Sequence, residues 1–307
     1  MRINWVKHVM VLMLIMTASI SYAQQSPQFT QYMFNGLILN PAYAGADESL
    51  NLTFLNRNQW VSVEGAPVTQ TFSAHTLLEK QHLGIGLSVI NDKIGVHKNQ
   101  KILGNAAYHL KLADKSVLSF GLLGGFNIVK SDYASLNKAG TSLDPQLANT
   151  SITQTYFNLG MGLYYRSPKF HLGFSIPDLI PQRYSLNDTT SVTWQKAHYF
   201  LYSKYLITLS DDLVLEPGIL LKYNPGLPLS FDLNACLVIK KALTLGLSYR
   251  RSESIDFLLK AQLTHQLQFG YSYDYVTNKT INLSRGTHEL MVSYLFRYVH
   301  SNVVSPR

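Results

Sequence analysis

From Glu48 onward, apolar residues recur at every second position in a long series of short runs. This is the period of a β-strand with two unlike faces. In residues 255–263 the odd-numbered positions are all apolar, whereas three of the four even-numbered positions are polar or charged. A strand buried on both faces would instead be apolar at nearly every position. The alternation therefore predicts an all-β chain whose strands separate an apolar surrounding from a polar one.

The alternating runs predict about 14 strands, most of them close to the ~9 to 11 residues that cross a bilayer at a tilt. The predicted ranges are 48–57, 68–78, 83–90, 101–112, 117–129, 154–166, 170–176, 195–209, 213–223, 228–239, 242–250, 254–263, 265–275 and 288–298. We therefore predict a transmembrane antiparallel β-barrel that occupies residues 48–298.

The lengths of the connections are an independent test of this prediction. Outer-membrane barrels have short turns at the periplasmic end and longer loops at the outer end. Connections after even-numbered predicted strands are short, and most of those after odd-numbered strands are longer. The longer ones are 58–67, 91–100, 130–153, 177–194 and 276–287, while 224–227 and 251–253 are short exceptions. We expect 130–153 and 177–194 to make contacts outside the cell.

The composition favours a membrane barrel over its alternative, a soluble sandwich or propeller. Charged residues make up 14% of the chain, against ~25% in typical soluble domains, and 19 tyrosines are present. After the leader, no apolar run approaches the ~18 to 20 residues of a membrane helix. A soluble β-protein would carry more charge and less tyrosine on its outer face.

The charged residues within the strands indicate which face meets lipid. Lysine or arginine on the lipid face at midplane costs about 2 to 4 kcal/mol, so charged positions should face the lumen. The predicted lumen charges are Glu216, Lys222, Asp232, Asp256, Lys260 and Asp274, and the same rule assigns Lys111, Lys204, Glu289 and Arg297 to the interior or its mouths. Aromatic residues near strand ends should form interfacial girdles. These are Tyr164, Tyr165, Tyr249, Tyr273, Tyr275, Phe296 and Tyr298.

Both ends of the chain lie outside the predicted barrel. Residues 1–23 have a basic start, an apolar stretch at 9–20 and a small-x-small site at 21–23, the features of a cleaved secretory signal peptide. The mature chain is expected to begin near Gln24 and to reach the cell outer membrane of a Gram-negative bacterium. Residues 299–307 are predicted to form a C-terminal tail.

Residues 24–47, between the leader and the first strand, fit neither pattern. Phe29, Tyr32, Met33 and Leu37 have helical spacing, and the step into Pro41 disfavours helix just before a small-residue turn at 42–46. The pattern predicts a short helix over 29–39. Because a barrel has no ordinary soluble core, we expect residues 25–46 to fold into or against the periplasmic mouth as a plug.

Chemical motifs point away from catalysis. The chain has no nucleophile elbow, phosphate-binding glycine loop, HExxH or calcium loop, and the single Cys236 cannot form an internal disulfide. His75 beside Ser73 is the candidate pair for a lipid hydrolase, but such pairs arise by chance in serine-rich strands. Gly84 and Gly121 lie inside strands, which indicates that these small residues ease either the bending of the strand or crowding in the lumen. No cofactor, metal or nucleic acid is predicted.

Ordered motifs run along the whole chain: QYMFNGLILNPAYAGA at 31–46, RNQW at 57–60, GAPVTQTFSAH at 65–75, NDKIG at 91–95, FNLGMGLYY at 157–165, LEPGILLKY at 215–223, LSFDLNA at 229–235, LGLSYR at 245–250, GYSYDY at 270–275 and RGTHEL at 285–290. With these motifs the chain resembles the PorP/SprF family of Bacteroidetes outer-membrane proteins. The most specific motif comprises Asn40, Pro41, Ala42, Tyr43, Ala44 and Gly45.

The resemblance implies a non-enzymatic barrel of the type IX secretion and gliding-motility machinery. The partners it implies are a secreted adhesin or its C-terminal domain and the periplasmic ring components, and outer-membrane lipid would surround the barrel. The expected role is to bind or anchor a partner during export or motility. A diffusion porin or solute transporter is the alternative.

Overall fold

The computed structural model describes residues 27–135, 151–185, 191–278 and 283–296. The predicted signal peptide and C-terminal tail lie outside this part. Seventeen strands are β1 (Leu50–Asn58), β2 (Val68–Leu78), β3 (Leu83–Ile94), β4 (His97–Lys111), β5 (Val117–Asp132), β6 (Ser151–Arg166), β7 (Phe170–Ile176), β8 (Gln182–Ser185), β9 (Ser191–Gln195), β10 (Tyr199–Tyr205), β11 (Ile207–Ser210), β12 (Leu213–Tyr223), β13 (Ser230–Ile239), β14 (Leu243–Arg250), β15 (Ser254–Gln262), β16 (Leu267–Val276) and β17 (Thr287–Phe296). Three short 3-10 helices are η1 (Gly36–Ile38), η2 (Pro41–Tyr43) and η3 (Glu79–Gln81).

The strands close into one antiparallel barrel. Each wall strand pairs with its neighbours in the chain, β10 pairs with both β7 and β12, and β1 pairs with β17 to complete the ring. Because β10 and β11 both pair with β12 and are separated only by Leu206, they form one interrupted wall strand. Counted in this way, the wall has 14 strands, which confirms the predicted barrel. The β8–β9 hairpin, which lies in the predicted loop 177–194 except for its last residue Gln195, was not predicted.

The two faces of the wall have opposite chemistry. On β2, the side chains of Thr69, Thr71 and Ser73 are buried, whereas Phe72 between them is exposed. The same inversion recurs around the barrel, where buried positions are mostly serine, threonine, asparagine and charged residues. A continuous exposed apolar face of this kind is stable only when lipid covers it. No helix of the described residues is both long enough and apolar enough to span a membrane.

The two ends of the barrel differ in their connections, as predicted. We call one end the turn end, because its connections are 79–82, 112–116, 167–169, 211–212, 240–242 and 263–266. The opposite end, the loop end, carries 59–67, 133–150, 177–198, 224–229, 251–253 and 277–286. The predicted long loop at 91–100 was wrong. β3 and β4 remain paired as a hairpin up to Ile94 and His97. Beyond the lipid both faces of these strands carry polar residues, so the alternation that predicts a strand is absent from the sequence there.

The predicted helix over 29–39 was also wrong. Residues 32–34 form a turn, and η1 and η2 are the only helices that the described residues contain before β1. The backbone forms three-residue turns, in which the Phe34 nitrogen donates to the Gln31 carbonyl at 2.9 Å and the Asn35 nitrogen donates to the Tyr32 carbonyl at 3.2 Å. The Thr30 and Gln31 nitrogens donate to the Glu289 carboxylate at 3.0 and 2.8 Å. Contacts with the wall thus outweigh the local helical spacing.

Candidate functional site in the barrel lumen

Residues 27–48, which we call the lumen segment, run through the interior of the barrel. The segment has contacts on all sides of the closed ring of strands, so it lies within the ring. Its wall partners, in strand order, are Arg57, Ser73, His75, Gly84, Gly86, His109, Gly121, Leu163, Ser175, Tyr202, Lys222, Asn234, Arg250, Lys260, Asp274 and Glu289.

The lumen segment crosses the barrel from the loop end to the turn end. Near its start, the Thr30 hydroxyl bonds to Asp274, close to the loop end of β16. Near its finish, the Ala46 carbonyl accepts a hydrogen bond from Arg166, the last residue of β6 at the turn end. The described residues therefore follow the height of the lumen, further than the single mouth expected for 25–46.

The first half of the NPAYAG motif attaches the segment to β6. The Asn40 side-chain oxygen accepts from the Ala42 nitrogen at 2.9 Å, and its amide nitrogen donates to the Leu163 carbonyl at 2.8 Å. Pro41 suits the first helical position because its ring presets φ and it has no N–H to satisfy. Asparagine followed by proline thus caps η2 and also ties it to the wall.

The two alanines of the motif pass the wall at points where only glycine fits. Ala42 and Ala44 are fully buried. A Cβ on Gly121 would lie 2.1 Å from the Ala42 nitrogen, and one on Gly84 would lie 1.9 Å from the Ala44 oxygen. Lumen crowding is therefore the reason for these two wall glycines, as the sequence indicated.

The end of the motif forms the exit at the turn end. Gly45 has φ +79, in the left-handed region that favours glycine, and its nitrogen donates to His75 Nδ1 at 3.1 Å. The Tyr43 hydroxyl donates to Asp47 at 2.9 Å. The Tyr43 ring packs on Tyr164, which faces the lumen and not the predicted lipid girdle.

A buried charge cluster holds the start of the lumen segment near the loop end. Arg57 forms ion pairs with Asp274 at 2.8 Å and with Glu289 at 3.0 Å. Its guanidinium also donates to the Thr30 hydroxyl at 2.9 Å. Because β1 carries Arg57 and β17 carries Glu289, the cluster spans the strand pair that closes the barrel. The segment and the closing seam are therefore joined by one set of hydrogen bonds.

Arg250 extends the same cluster around the lumen. Its guanidinium lies 3.5 Å from Asp232, 3.8 Å from Asp256 and 3.9 Å from Asp274, and it donates to the Phe29 carbonyl at 3.3 Å. Arg57 and Arg250 were absent from the predicted lumen charges. The alternation that selected Asp256 also marks both arginines as lumen-facing, so the signal was present in the sequence.

The remaining predicted lumen charges are divided among separate contacts. Lys222 pairs with Asp232 at 2.7 Å, and Glu216 pairs with Lys204 at 2.9 Å. The Lys260 ammonium lies 4.5 Å from the centroid of the Phe34 ring, a cation–π contact with the lumen segment. Three of the six predicted positions, Lys222, Lys260 and Asp274, therefore touch residues of the segment directly.

A second element enters the lumen from the loop end. Asp178, which follows β7, accepts hydrogen bonds from Lys101 at 2.7 Å and Asn158 at 2.9 Å. Burial alone would raise the pKa of Asp178, but the Lys101 ammonium and these hydrogen bonds hold it below its usual range. Gln182 accepts from the Asn127 amide at 2.6 Å. The connection at 177–182 thus covers the lumen beside β4, β5 and β6.

The candidate hydrolase pair does not assemble. The Ser73 hydroxyl accepts from the Asn35 side chain at 3.0 Å, while His75 accepts from Gly45 and lies 3.4 Å from Asp47. Both side chains thus bind the lumen segment. Within the described ranges, no three His, Cys, Asp or Glu side chains converge as a metal site.

Two cavities remain between the lumen segment and the wall formed by β6, β7, β10 and β12. The cavity nearer the loop end has a volume of about 120 Å³ and is bordered by Pro27, Phe29 and Lys222. The cavity nearer the turn end has a volume of about 60 Å³ and is bordered by Tyr43, Tyr164 and Lys204. A cavity needs only ~10 to 15 Å³ of such space to hold a water molecule, so both cavities have room for water.

Comparison with known proteins establishes the family. The sequence model described as "Type IX secretion system membrane protein PorP/SprF" matches residues 21–294. The chain belongs to the PorP/SprF family. This family is one of membrane barrel components, not of enzymes, and together with the fold it makes the chain an outer-membrane component of type IX secretion. No curated protein sequence matches this PorP/SprF chain significantly.

Solved structures similar to this PorP/SprF barrel include a hydrocarbon channel and an outer-membrane protein. The CymD monoaromatic hydrocarbon channel has a TM-score of 0.54 at 13% identity, covering 87% of this chain and 94% of that one. The outer-membrane protein Omp33 of Acinetobacter baumannii has a TM-score of 0.48 at 9% identity, covering 81% and 98%. A Pseudomonas aeruginosa FadL homologue has 0.47 at 13%, covering 90% and 96%. At such identities the likeness to CymD shows the fold alone.

Proposed function

We propose that this chain is an accessory barrel of the type IX secretion system that binds or anchors a secreted adhesin or a periplasmic ring component during export or gliding motility. Its mechanism is recognition. The observation that carries the proposal is the lumen segment, which follows the height of the barrel and packs its NPAYAG motif against wall glycines near the turn end. A chain that fills its own lumen in this way presents surfaces to partners and does not provide an open path for solutes.

The filling of the lumen favours an accessory role over a diffusion porin. Ala42 and Ala44 leave no space for even one additional carbon atom at Gly121 and Gly84. At the loop end, Asp178 and Gln182 occupy a further part of the interior. A diffusion porin needs a continuous aqueous channel, and barrels of this size can enclose one when the interior is empty.

The two ends of the barrel offer separate surfaces for partners. In an outer-membrane barrel the longer loops face outward and the short turns face the periplasm. The loops 133–150 and 177–198 would therefore contact the adhesin at the cell surface, although 136–150 and 186–190 lie outside the described residues. The short turns and the exit of the lumen segment at Gly45 would contact the ring components or the exported chain.

The test is co-purification from detergent-solubilised outer membranes. We expect the intact barrel to retain the C-terminal domain of a secreted adhesin and to be silent in planar bilayers. Replacing 136–150 with a short glycine–serine linker should reduce adhesin retention, whereas the same linker at 112–116 should spare the adhesin and reduce retention of ring components. Large steady currents without any retained partner would contradict the proposal and favour a porin.

A further inference from the structure

Three lysines lie directly opposite one another near the loop ends of β3, β4 and β5. Lys93 is in register with Lys98, and Lys98 is in register with Lys130. All three side chains are exposed, and Lys98 and Lys130 stand on the same outward face as the exposed Ile102 and Phe126. We call these residues the lysine row.

The lysine row lies immediately beyond the apolar belt of the barrel. On β5, the outward positions from Leu118 to Ile128 are apolar or glycine, a length of about 33 Å at ~3.3 Å per residue. At a strand tilt of ~40°, this length covers about 25 Å of membrane thickness, the height of the apolar band in outer-membrane barrels. Lys130 is the next outward residue, so the row lies at the level of the lipid headgroups.

A row of amides separates the lysines from the apolar belt. The Asn91 amide donates to Gln70 at 3.4 Å, and the Gln100 amide donates to Asn91 at 3.3 Å across the same strands. The outward face of β3 and β4 therefore changes within four residues from apolar to amide and then to positive charge. This order follows the chemistry of a bilayer surface, from acyl chain through the glycerol or sugar region to charged headgroup.

Like charges that face each other across a sheet destabilise it. A bound anion would relieve this repulsion by Coulomb attraction. No carboxylate among the described residues forms an ion pair with any member of the lysine row. Asp132 follows Lys130 by two positions on the same strand and does not pair with it either. The row is therefore a patch of positive charge at the level of the lipid headgroups, without an ion-pair partner among the described residues.

We propose that the lysine row binds the phosphate groups of a phosphorylated glycolipid in the outer leaflet. Side chains opposite each other in antiparallel strands have Cβ atoms about 5 Å apart, so neighbouring ammonium groups can donate to one phosphate. Lysine binds phosphate as a compact charge, and clusters of basic residues beside a membrane attract anionic headgroups. The proposal depends on the barrel being embedded in an outer membrane and not on the proposed protein partners.

The experiment compares the native barrel with the variant Lys93→Gln, Lys98→Gln, Lys130→Gln in nonionic detergent. Purified diphosphorylated lipid A is titrated in, and the thermal unfolding of the barrel is followed by heat-modifiable gel mobility. The affinity for lipid A is obtained from the rise of the unfolding temperature with lipid concentration. We expect lipid A to raise the unfolding temperature of the native barrel and to bind the variant roughly tenfold more weakly or worse. Dephosphorylated lipid A and inorganic phosphate at equal concentration should give no comparable rise.

A matched control removes the same charge at the turn end, through Lys80→Gln, Lys240→Gln and Lys241→Gln, and should respond to lipid A like the native barrel.

Should the row variant not fold, Lys98→Glu is a second test. Its carboxylate replaces the anion between two lysines, so it should unfold at a higher temperature without lipid and gain less from lipid A. Equal binding by native and row variants, or equal loss in the control, would overturn the proposal.

Discussion

Gly121 stands where the lumen segment passes closest to the wall. A Cβ at this position would meet the Ala42 nitrogen at 2.1 Å, and that backbone atom is held by η2 and by the Asn40 cap. The local reason for this glycine is therefore not flexibility of β5. The reason is the space that the lumen segment occupies at Ala42. Because Ala42 lies about 80 residues before Gly121 in the sequence, a local sequence pattern cannot predict this contact.

Gly121→Ala should lower the free energy of unfolding by about 1 to 3 kcal/mol, the usual cost of overpacking. Gly104→Ala is the matched control on the neighbouring strand, because a Cβ there would have its nearest neighbour at 3.7 Å. Urea unfolding of the purified barrels, followed by tryptophan fluorescence, measures both. Equal stability of the two variants would show that the segment does not press against the wall at Gly121.

Arg57 is the residue on which the charge cluster depends most directly. Arg57→Gln would leave Asp274 and Glu289 buried without their closest positive partner, at a cost of about 3 to 5 kcal/mol. The control is Glu48→Gln, which breaks a pair with Arg166 whose Glu48 side chain is 61% exposed. An exposed pair of this kind contributes at most about 1 kcal/mol. A loss in Arg57→Gln no larger than in the control would contradict the structural role assigned to the cluster.

At the scale of elements, the lumen segment and the strands were predictable to different degrees. β2, β7 and β12 have the bounds predicted from alternation, because one face meets lipid and the other meets a polar interior along each strand. The lumen segment combines an apolar cluster around Phe29 and Tyr32 with polar contacts to many strands of the wall. Its helical spacing at Phe29, Tyr32, Met33 and Leu37 therefore did not produce a helix.

The path of the lumen segment predicts the side of the membrane on which its first residues lie. Since Thr30 lies near the loop end, an epitope tag inserted immediately before Pro27 should be accessible to antibody on intact cells, as should a tag at the exposed Glu64 in loop 59–67. A tag at the turn of Lys240 and Lys241 should become accessible only after permeabilisation. The same accessibility for the Pro27 and Lys240 tags would show that the segment does not cross the lumen.

At the scale of the whole molecule, the filled lumen predicts a barrel without steady conductance. The native protein should be silent in planar bilayers, and a variant lacking 29–46 should conduct, because the interior of a 14-stranded barrel is wide enough for water. Heat-modifiable mobility verifies that the shortened variant still forms a barrel. Native currents as large as those of the shortened variant would contradict the filled lumen.

The sequence by itself determined the wall: its strand number, the alternation of inward and outward positions and the distinction between the turn end and the loop end. These depend on side-chain alternation and loop length, which are local properties of the chain. It also supplied the family, through motifs whose order is visible without coordinates.

Only the tertiary structure decided what the NPAYAG motif and the lumen charges do. Thr30 binds Glu289 across 259 residues of sequence, and the path of the lumen segment follows from such bonds and from the wall glycines at 84 and 121. Buried peptide groups must find hydrogen-bond partners, and inside a closed barrel those partners belong to strands far along the chain. Local propensity therefore could not predict how the segment folds.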